Sequence, residues 1–203
     1  MTADVHEARK AAVYEAALQL IGQGVSPAAL KIQQLADAAG IGKGTVYEYF
    51  SSKDEILHGL AVYCFARENA RIRALMADCA TLAELEEIIA DYLQDIVAER
   101  MGSYRMLAQA LGGPPDGPPD GPLQCGGMTD CVQELRSTML GLLRRLHAAG
   151  EIDPTLTPEY CCTALLSIVV GGLLGLCYTA VQGEETSLPR NIRQLLHRAL
   201  TVQ

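Results

Sequence analysis

The sequence predicts an all-α fold. No segment alternates apolar and polar residues for long, whereas apolar residues recur at i, i+3/i+4 spacing along most of the 203 residues. Glycine and proline clusters divide these stretches into helix-sized pieces. Apolar residues make up 49% of the chain, with no tryptophan and two phenylalanines, so the core is expected to be mostly aliphatic.

The first helix is expected over Glu7–Ile21, where Ala12, Val13, Ala16, Ala17 and Leu20 share a face. Gly22 and Gly24 end it, and Pro27 marks a loop. Ile32–Ala39 is a short helix that Gly40 breaks, and Lys43–Phe50 is another. Ser52, with Glu55 three residues on, has the form of a capping box and opens a long helix running to about Asp78. Further helices are expected over Leu82–Arg100, Tyr104–Leu111, Thr129–Ala149, Pro158–Val181 and Pro189–Val202. Thr157-Pro158-Glu159 is a helix start with an N-cap hydroxyl, a proline in the first turn and an acid near the positive end. Between Gly112 and Gly127, "GGPPDGPPDGPLQCGG" has 11 Gly or Pro residues in 16, and a long flexible loop is expected.

The formal net charge of −8 argues against a chain that binds nucleic acid over its whole surface. Charge is uneven, however. All four lysines, Lys10, Lys31, Lys43 and Lys53, lie in the first 53 residues, which hints that this end meets an anion. The net charge of residues 1–63 is still −2, from five basic and seven acidic side chains. The opening "MTADVHEARK" has no apolar stretch of the kind a secretory leader carries. Seven cysteines, an odd number, then suggest reduced thiols in a cytoplasmic protein. The longest apolar run, Ala164–Ala180, contains Ser167, Thr179 and three glycines and reads as a buried helix, not a membrane span.

The stretch "AGIGKGTVYEYFSSKDE", Ala39–Glu55, carries the most specific pattern. Ala36 is small enough for a second helix to cross closely, and Gly40 can take a left-handed turn. Ile41 plugs the turn, and Val46 packs back onto the first helix, with Leu35, Ala39 and Tyr49 completing the buried face. This is helix-turn-helix spacing. Tyr47 and Tyr49 are about 200° apart on a helix, so Tyr49 is expected inward and Tyr47 outward.

"LADAAGIGKGTVYEYFSSKDEIL" closely resembles the TetR-type regulators, over roughly residues 8–62. The resemblance implies an amino-terminal three-helix helix-turn-helix DNA-binding domain, residues 1–52. A carboxy-terminal helical domain for ligand binding and dimerisation, residues 53–203, would follow. It implies a homodimer whose two Lys43–Phe50 helices enter successive major grooves of a palindromic duplex operator. Gly44 then lets the backbone approach the DNA, and Thr45 offers a hydroxyl and a methyl to a base edge. Tyr47, Lys53, Lys43 and Lys31 suit phosphates. Glu48 is awkward beside phosphate. It either accepts from a cytosine amino group or points to solvent, and solvent is the preferred reading. Two positions depart from the family pattern: Gly42 stands where a capping Ser or Thr is common, and Leu30-Lys31 where a Thr is.

In the carboxy-terminal part, Ser167, Gly171, Gly175 and Thr179 recur every four residues and form a narrow small-residue stripe. The family dimerises through its last two long helices. The stripe, with Ile192, Leu195 and Leu196 of the amphipathic last helix, is therefore expected at the dimer interface. The resemblance also implies an effector pocket, for which Phe65, Tyr92, Met106, Met139, Cys162 and Leu166 are candidate lining residues. Their chemistry suits a small, largely apolar ligand, and Arg67 and Arg71 leave an anionic head group open. The expected mechanism is a repressor released from its operator by that ligand.

Other functions are less well supported. No P-loop, dinucleotide-binding glycine pattern, G-x-S-x-G or H-E-x-x-H is present, and His6, His58, His147 and His197 are scattered, so catalysis is not expected. A helical interaction protein without a ligand is one rival. A thiol- or metal-responsive regulator is another. Cys161 and Cys162 diverge by about 100° on a helix, however, and no Cys/His spacing fits zinc. No metal and no cofactor is expected.

Overall fold

A computed structural model describes residues 3–97, 126–178 and 187–201. Among these residues there are eight α-helices and no strand, which is the all-α architecture expected. They are α1 (Ala3–Gly22), α2 (Ile32–Ala38), α3 (Lys43–Tyr49), α4 (Lys53–Leu75), α5 (Leu82–Asp95), α6 (Gly126–Ala148), α7 (Pro158–Tyr178) and α8 (Leu188–Leu200), with a 3-10 turn at Pro27–Ala29. None of them is long and apolar enough to cross a membrane. The Tyr104–Leu111 helix and residues 112–125 of the expected loop lie outside the described residues. Gly126 and Gly127 do not belong to a loop, because α6 begins there.

The described residues pack into two units, 3–67 with 126–131 and 68–97 with 132–178 and 187–201. In the first, α1 contributes Val13, Ala17 and Ile21 to a core with Leu30, Leu35, Ala36, Val46, Tyr49, Phe50, Ile56 and Leu60. The core therefore includes side chains from the first two turns of α4, beyond residue 52. Aromatic edges close it: Tyr14 packs on Phe50 at 5.5 Å between centroids and on Tyr63 at 5.3 Å, and His6 meets the Tyr49 ring at 4.8 Å. The Tyr14 hydroxyl lies against Gly59, where a Cβ would come within 2.8 Å of the ring carbon Cζ. Burial pushes the Tyr14 phenol up to about 12. Tyr63 and Arg67 of α4 both bond the Glu15 carboxylate of α1, at 2.6 and 2.8 Å. Gly127 starts α6 as a point of close approach, since a Cβ there would sit 3.0 Å from Val62 Cγ1.

In the second unit, α5 buries Leu82, Leu85, Ile89 and Leu93 at helical spacing. Thr81 caps it: its hydroxyl accepts from the Glu84 amide at 3.2 Å, and Glu84 accepts from the Ala80 and Thr81 amides. Met139, Leu142, Leu143 and Leu146 of α6, Cys161, Cys162 and Leu165 of α7, and Ile192, Leu196 and Leu200 of α8 share the same core. Gly172 lets α7 and α8 come close, because a Cβ there would lie 2.8 Å from Ile192 Cδ1.

The last point corrects an expectation. Ile192 and Leu196 are 2% and 1% exposed within a single chain and cannot present surface to a second one. Their neighbour Leu195 is 53% exposed. The stripe divides in a similar way: Ser167 and Gly171 are exposed, while the glycine that takes up packing is Gly172. Gly175 falls within α7, but its surroundings lie outside the described residues, and so does Thr179.

The notch at Gly59 has a measurable consequence. Gly59→Ala forces a methyl against the Tyr14 ring, which Phe50 and Tyr63 hold in place, and is expected to cost about 1–3 kcal/mol of unfolding free energy. Urea denaturation followed by circular dichroism reads the shift.

Candidate nucleic-acid interface

The connection between α2 and α3 orients the surface that follows it. Gly40 has φ +66°, a left-handed conformation that costs glycine little and other residues more. The chain reverses there, and the Ile41 amide donates back to the Ala36 carbonyl at 3.0 Å. Ala36 and Val46 then meet with both fully buried. Tyr49 is 8% exposed and Phe50 2%, so these residues hold one side of α3 against the core.

The opposite side of α3 is open. Tyr47 is 51% exposed, and Lys43, Gly44 and Glu48 are exposed with it. Thr45 is half-buried at the margin. The two tyrosines thus divide as their spacing predicts. Gly42 is the N-cap of α3 and supplies no side-chain bond to the free amides. Those amides therefore remain available to an external acceptor.

The supporting helix starts are organised by side chains. The Lys31 amide, at the start of α2, donates to Gln34 Oε1 at 3.2 Å, which leaves the Lys31 ammonium exposed. At α4, Ser52 Oγ accepts from the Glu55 amide at 3.1 Å. The Glu55 carboxylate does not complete a box with Ser52. It accepts instead from the Ser51 hydroxyl at 2.6 Å and the Ser51 amide at 2.7 Å. These two bonds, the hydroxyl first, hold the Glu55 carboxyl below its ordinary range.

Lys53 has a partner that sequence reading missed. Its ammonium donates to the Ala28 carbonyl at 2.6 Å, tying the start of α4 to the 3-10 turn. A contact between residues 25 apart leaves no local signal in the sequence. The remaining N–H groups of Lys53 stay available to an anion, since an ammonium has three donors.

The expected effector residues are placed as follows. Met139 and Cys162 are buried in the core of the second unit, and Leu166 packs against it. Tyr92 donates its hydroxyl to Glu68 at 2.8 Å and lies under the Arg71 guanidinium at 5.7 Å. Phe65 belongs to the first unit and is 42% exposed. Met106 lies outside the described residues. Desolvation pushes the thiols of Cys79, Cys161 and Cys162 up, away from the thiolate that redox or metal chemistry needs. Cys125 and the side chain of Cys177 are outside the described residues.

Comparison with known proteins adds the following. Residues 13–60 match the family described as bacterial regulatory proteins, tetR family. No curated protein matches the chain in sequence. Among solved structures, the fold is similar to a protein described as a TetR-family transcriptional regulator from Mesorhizobium loti, with a TM-score of 0.70, 14% identity and 100% of each chain covered. It is similar to the transcriptional regulator FadR from Bacillus subtilis in complex with stearoyl-CoA, with a TM-score of 0.64, 17% identity, and 91% of this chain and 96% of that one covered. It is also similar to NalD of Pseudomonas aeruginosa, the secondary repressor of the MexAB-OprM multidrug efflux pump, with a TM-score of 0.63, 16% identity, and 97% and 98% covered.

The Glu55 cap carries a pH signature. A carboxyl held low in the folded state stabilises it fully above the ordinary carboxylate range, and that contribution fades as pH falls through the lowered value. Ser51→Ala removes the hydroxyl donor. It is expected to move the Glu55 titration up toward the ordinary range, as read by carboxyl-carbon NMR.

Proposed function

We propose that this chain, a transcriptional regulator of the TetR family, is a dimeric repressor that binds a palindromic duplex operator and is released from it by a small, largely apolar ligand. The observation that carries the DNA reading is the two-sided character of α3. Val46, Tyr49 and Phe50 are buried, while Lys43, Gly44 and Tyr47 stand outward on a helix fixed by the Gly40 turn. Gly44 lets the helix backbone come close to the groove floor. Tyr47 and Lys43 meet phosphates, Thr45 meets a base edge, and Lys31 and Lys53 hold the flanking backbone. The protein works by binding, in the cytoplasm, and needs no cofactor.

The dimer forms through the outer faces of α7 and α8. Ser167, Gly171, Val170, Leu174 and Leu195 are exposed there, a mixture of apolar side chains and small residues that allows helices to close on one another. The effector enters the apolar interior of the second unit, near Met139, Cys162 and Leu166. The stearoyl-CoA complex of the FadR relative supports an apolar chain as ligand, and an anionic head would share the Arg71 guanidinium with Asp95, which holds it at 2.7 Å. Ligand binding shifts α4, whose residues take part in both cores, and the heads lose the spacing of successive grooves. For this the ligand must bind the released arrangement more tightly than the DNA-bound one. An effector that tightened DNA binding would make the protein a corepressor-dependent regulator instead.

Fluorescence anisotropy with a labelled duplex from the region upstream of its own gene tests the reading, with stearoyl-CoA as the first effector probe. Tyr47→Phe is expected to weaken binding to every duplex by a similar factor, about 3- to 10-fold for one lost phosphate bond. Thr45→Ala changes the preferred sequence instead. No binding by the wild type to any duplex would end the DNA reading. Leu195→Glu is expected to yield monomers in analytical ultracentrifugation with the helical content unchanged. A dimer that persisted would move the interface elsewhere.

A further inference from the structure

The outward face of α3 holds one ionised side chain that the reading above leaves without a task. Successive residues are offset by about 100° on a helix, so the positions can be placed relative to Gly44. The buried Val46 and Tyr49 fall about 200° and 140° away, which puts Gly44 nearly opposite the core. Tyr47 lies about 60° to one side of it, and Glu48 about 40° to the other. Measured from the direction opposite Val46 and Tyr49, Glu48 and Tyr47 therefore flank the middle of the outward face at about equal angles. Glu48 is thus as well placed as Tyr47 to meet whatever the outward face meets.

Its surroundings differ from those of Asp37, Glu55, Glu15 and Asp54. Asp37 accepts from Gln33 Nε2 at 2.7 Å, Glu55 from Ser51, and Glu15 from Tyr63 and Arg67. Asp54 sits in the first turn of α4, where the helix dipole favours an acid. Glu48 is exposed, and no hydrogen bond or ion pair holds it among the described residues. Its predecessor on the same face, Gly44, has no side chain to keep the helix away from a groove.

We propose that Glu48 is a specificity-determining residue of the DNA interface, whose carboxylate accepts a hydrogen bond from the exocyclic amino group of a cytosine in the major groove. This rests on the reading of α3 as the groove-entering helix. An ionised carboxylate is acceptor-only, so it needs a donor on a base edge. Cytosine N4 and adenine N6 are the two such donors in the major groove. Adenine sets its N7 acceptor beside the amino group, and guanine shows only N7 and O6 acceptors, so a carboxylate is repelled by both. Cytosine has no acceptor on that edge. A negative charge between two phosphate strands also weakens binding at every site that lacks the cytosine, which raises the contrast between operator and other DNA.

The test is enrichment from a pool of randomised duplexes by wild type, E48Q and E48A, with circular dichroism to confirm that each folds. Wild type is expected to enrich half-sites with cytosine at one fixed position. Replacing that C·G pair is expected to weaken its binding roughly tenfold. E48A should lose the preference there while keeping the others. E48Q, which can offer both a donor and an acceptor, should shift the position toward adenine. Both variants should bind unrelated duplex more tightly than wild type. If all three proteins enrich the same motif, or if the wild-type motif has no cytosine that depends on residue 48, the proposal is wrong while the DNA reading stands. If wild type enriches nothing, the DNA reading itself fails and takes this proposal with it.

Discussion

The left-handed turn at Gly40 is the constraint on which the surface chemistry depends. It reverses the chain in a few residues, and the Ile41 amide donates back to the Ala36 carbonyl across the turn. Ala36 has no side chain beyond Cβ, so Val46 can be buried directly on it. Once Val46 and Tyr49 are inward, every other position of α3 is assigned by the helix period alone. A rotation of one residue, about 100°, would bury Lys43 and expose the Tyr49 ring, or bury Glu48 and expose Val46. The cost of exposing that apolar surface keeps the register unique.

Electrostatics in the head has to be read locally. Net charge predicts a surface that repels DNA, since acids outnumber bases there. Yet Glu15, Asp37 and Glu55 are each occupied by donors from their own chain, and Glu15 holds α1 to α4. Their charge is partly offset where it stands. The lysine ammonium groups at 31 and 43 have been left outward. Lys53 braces the 3-10 turn through Ala28, and its ammonium keeps further N–H donors. A substitution there removes the brace along with the charge.

The second unit shows the same economy with apolar groups. α8 carries more apolar residues than one core face can take. Ile192, Leu196 and Leu200 fill the interior, and Leu195 is left over. α7 repeats the division, with Gly172 admitting α8 and Gly171 facing open space. The buried Glu86 also ties α8 down. His197 Nδ1 lies 2.9 Å from one carboxylate oxygen, and Arg193 Nε 3.7 Å from the other. Leu195, Val170 and Leu174 are left exposed, as are Leu75, Val132 and Tyr160 of the same unit.

Sequence alone determined the helical character, the turn at Gly40, and the inward and outward assignments of Tyr49 and Tyr47. All of these follow from the 3.6-residue period and from the backbone freedom of one glycine, which are local properties. Family resemblance in "GTVYEYF" was legible for the same reason. Tertiary structure decided the rest, because each remaining question asks which distant segment arrives at a given residue. The Ala28 carbonyl claims Lys53, and Ser51 claims Glu55 from the expected box with Ser52. Val62 approaches Gly127 closely in the first turn of α6, where the sequence predicts a loop end. The burial of Ile192 and Leu196 depends on α5 and α7 packing over them, and a helical period marks an apolar face without saying whether its own chain or a second one will cover it.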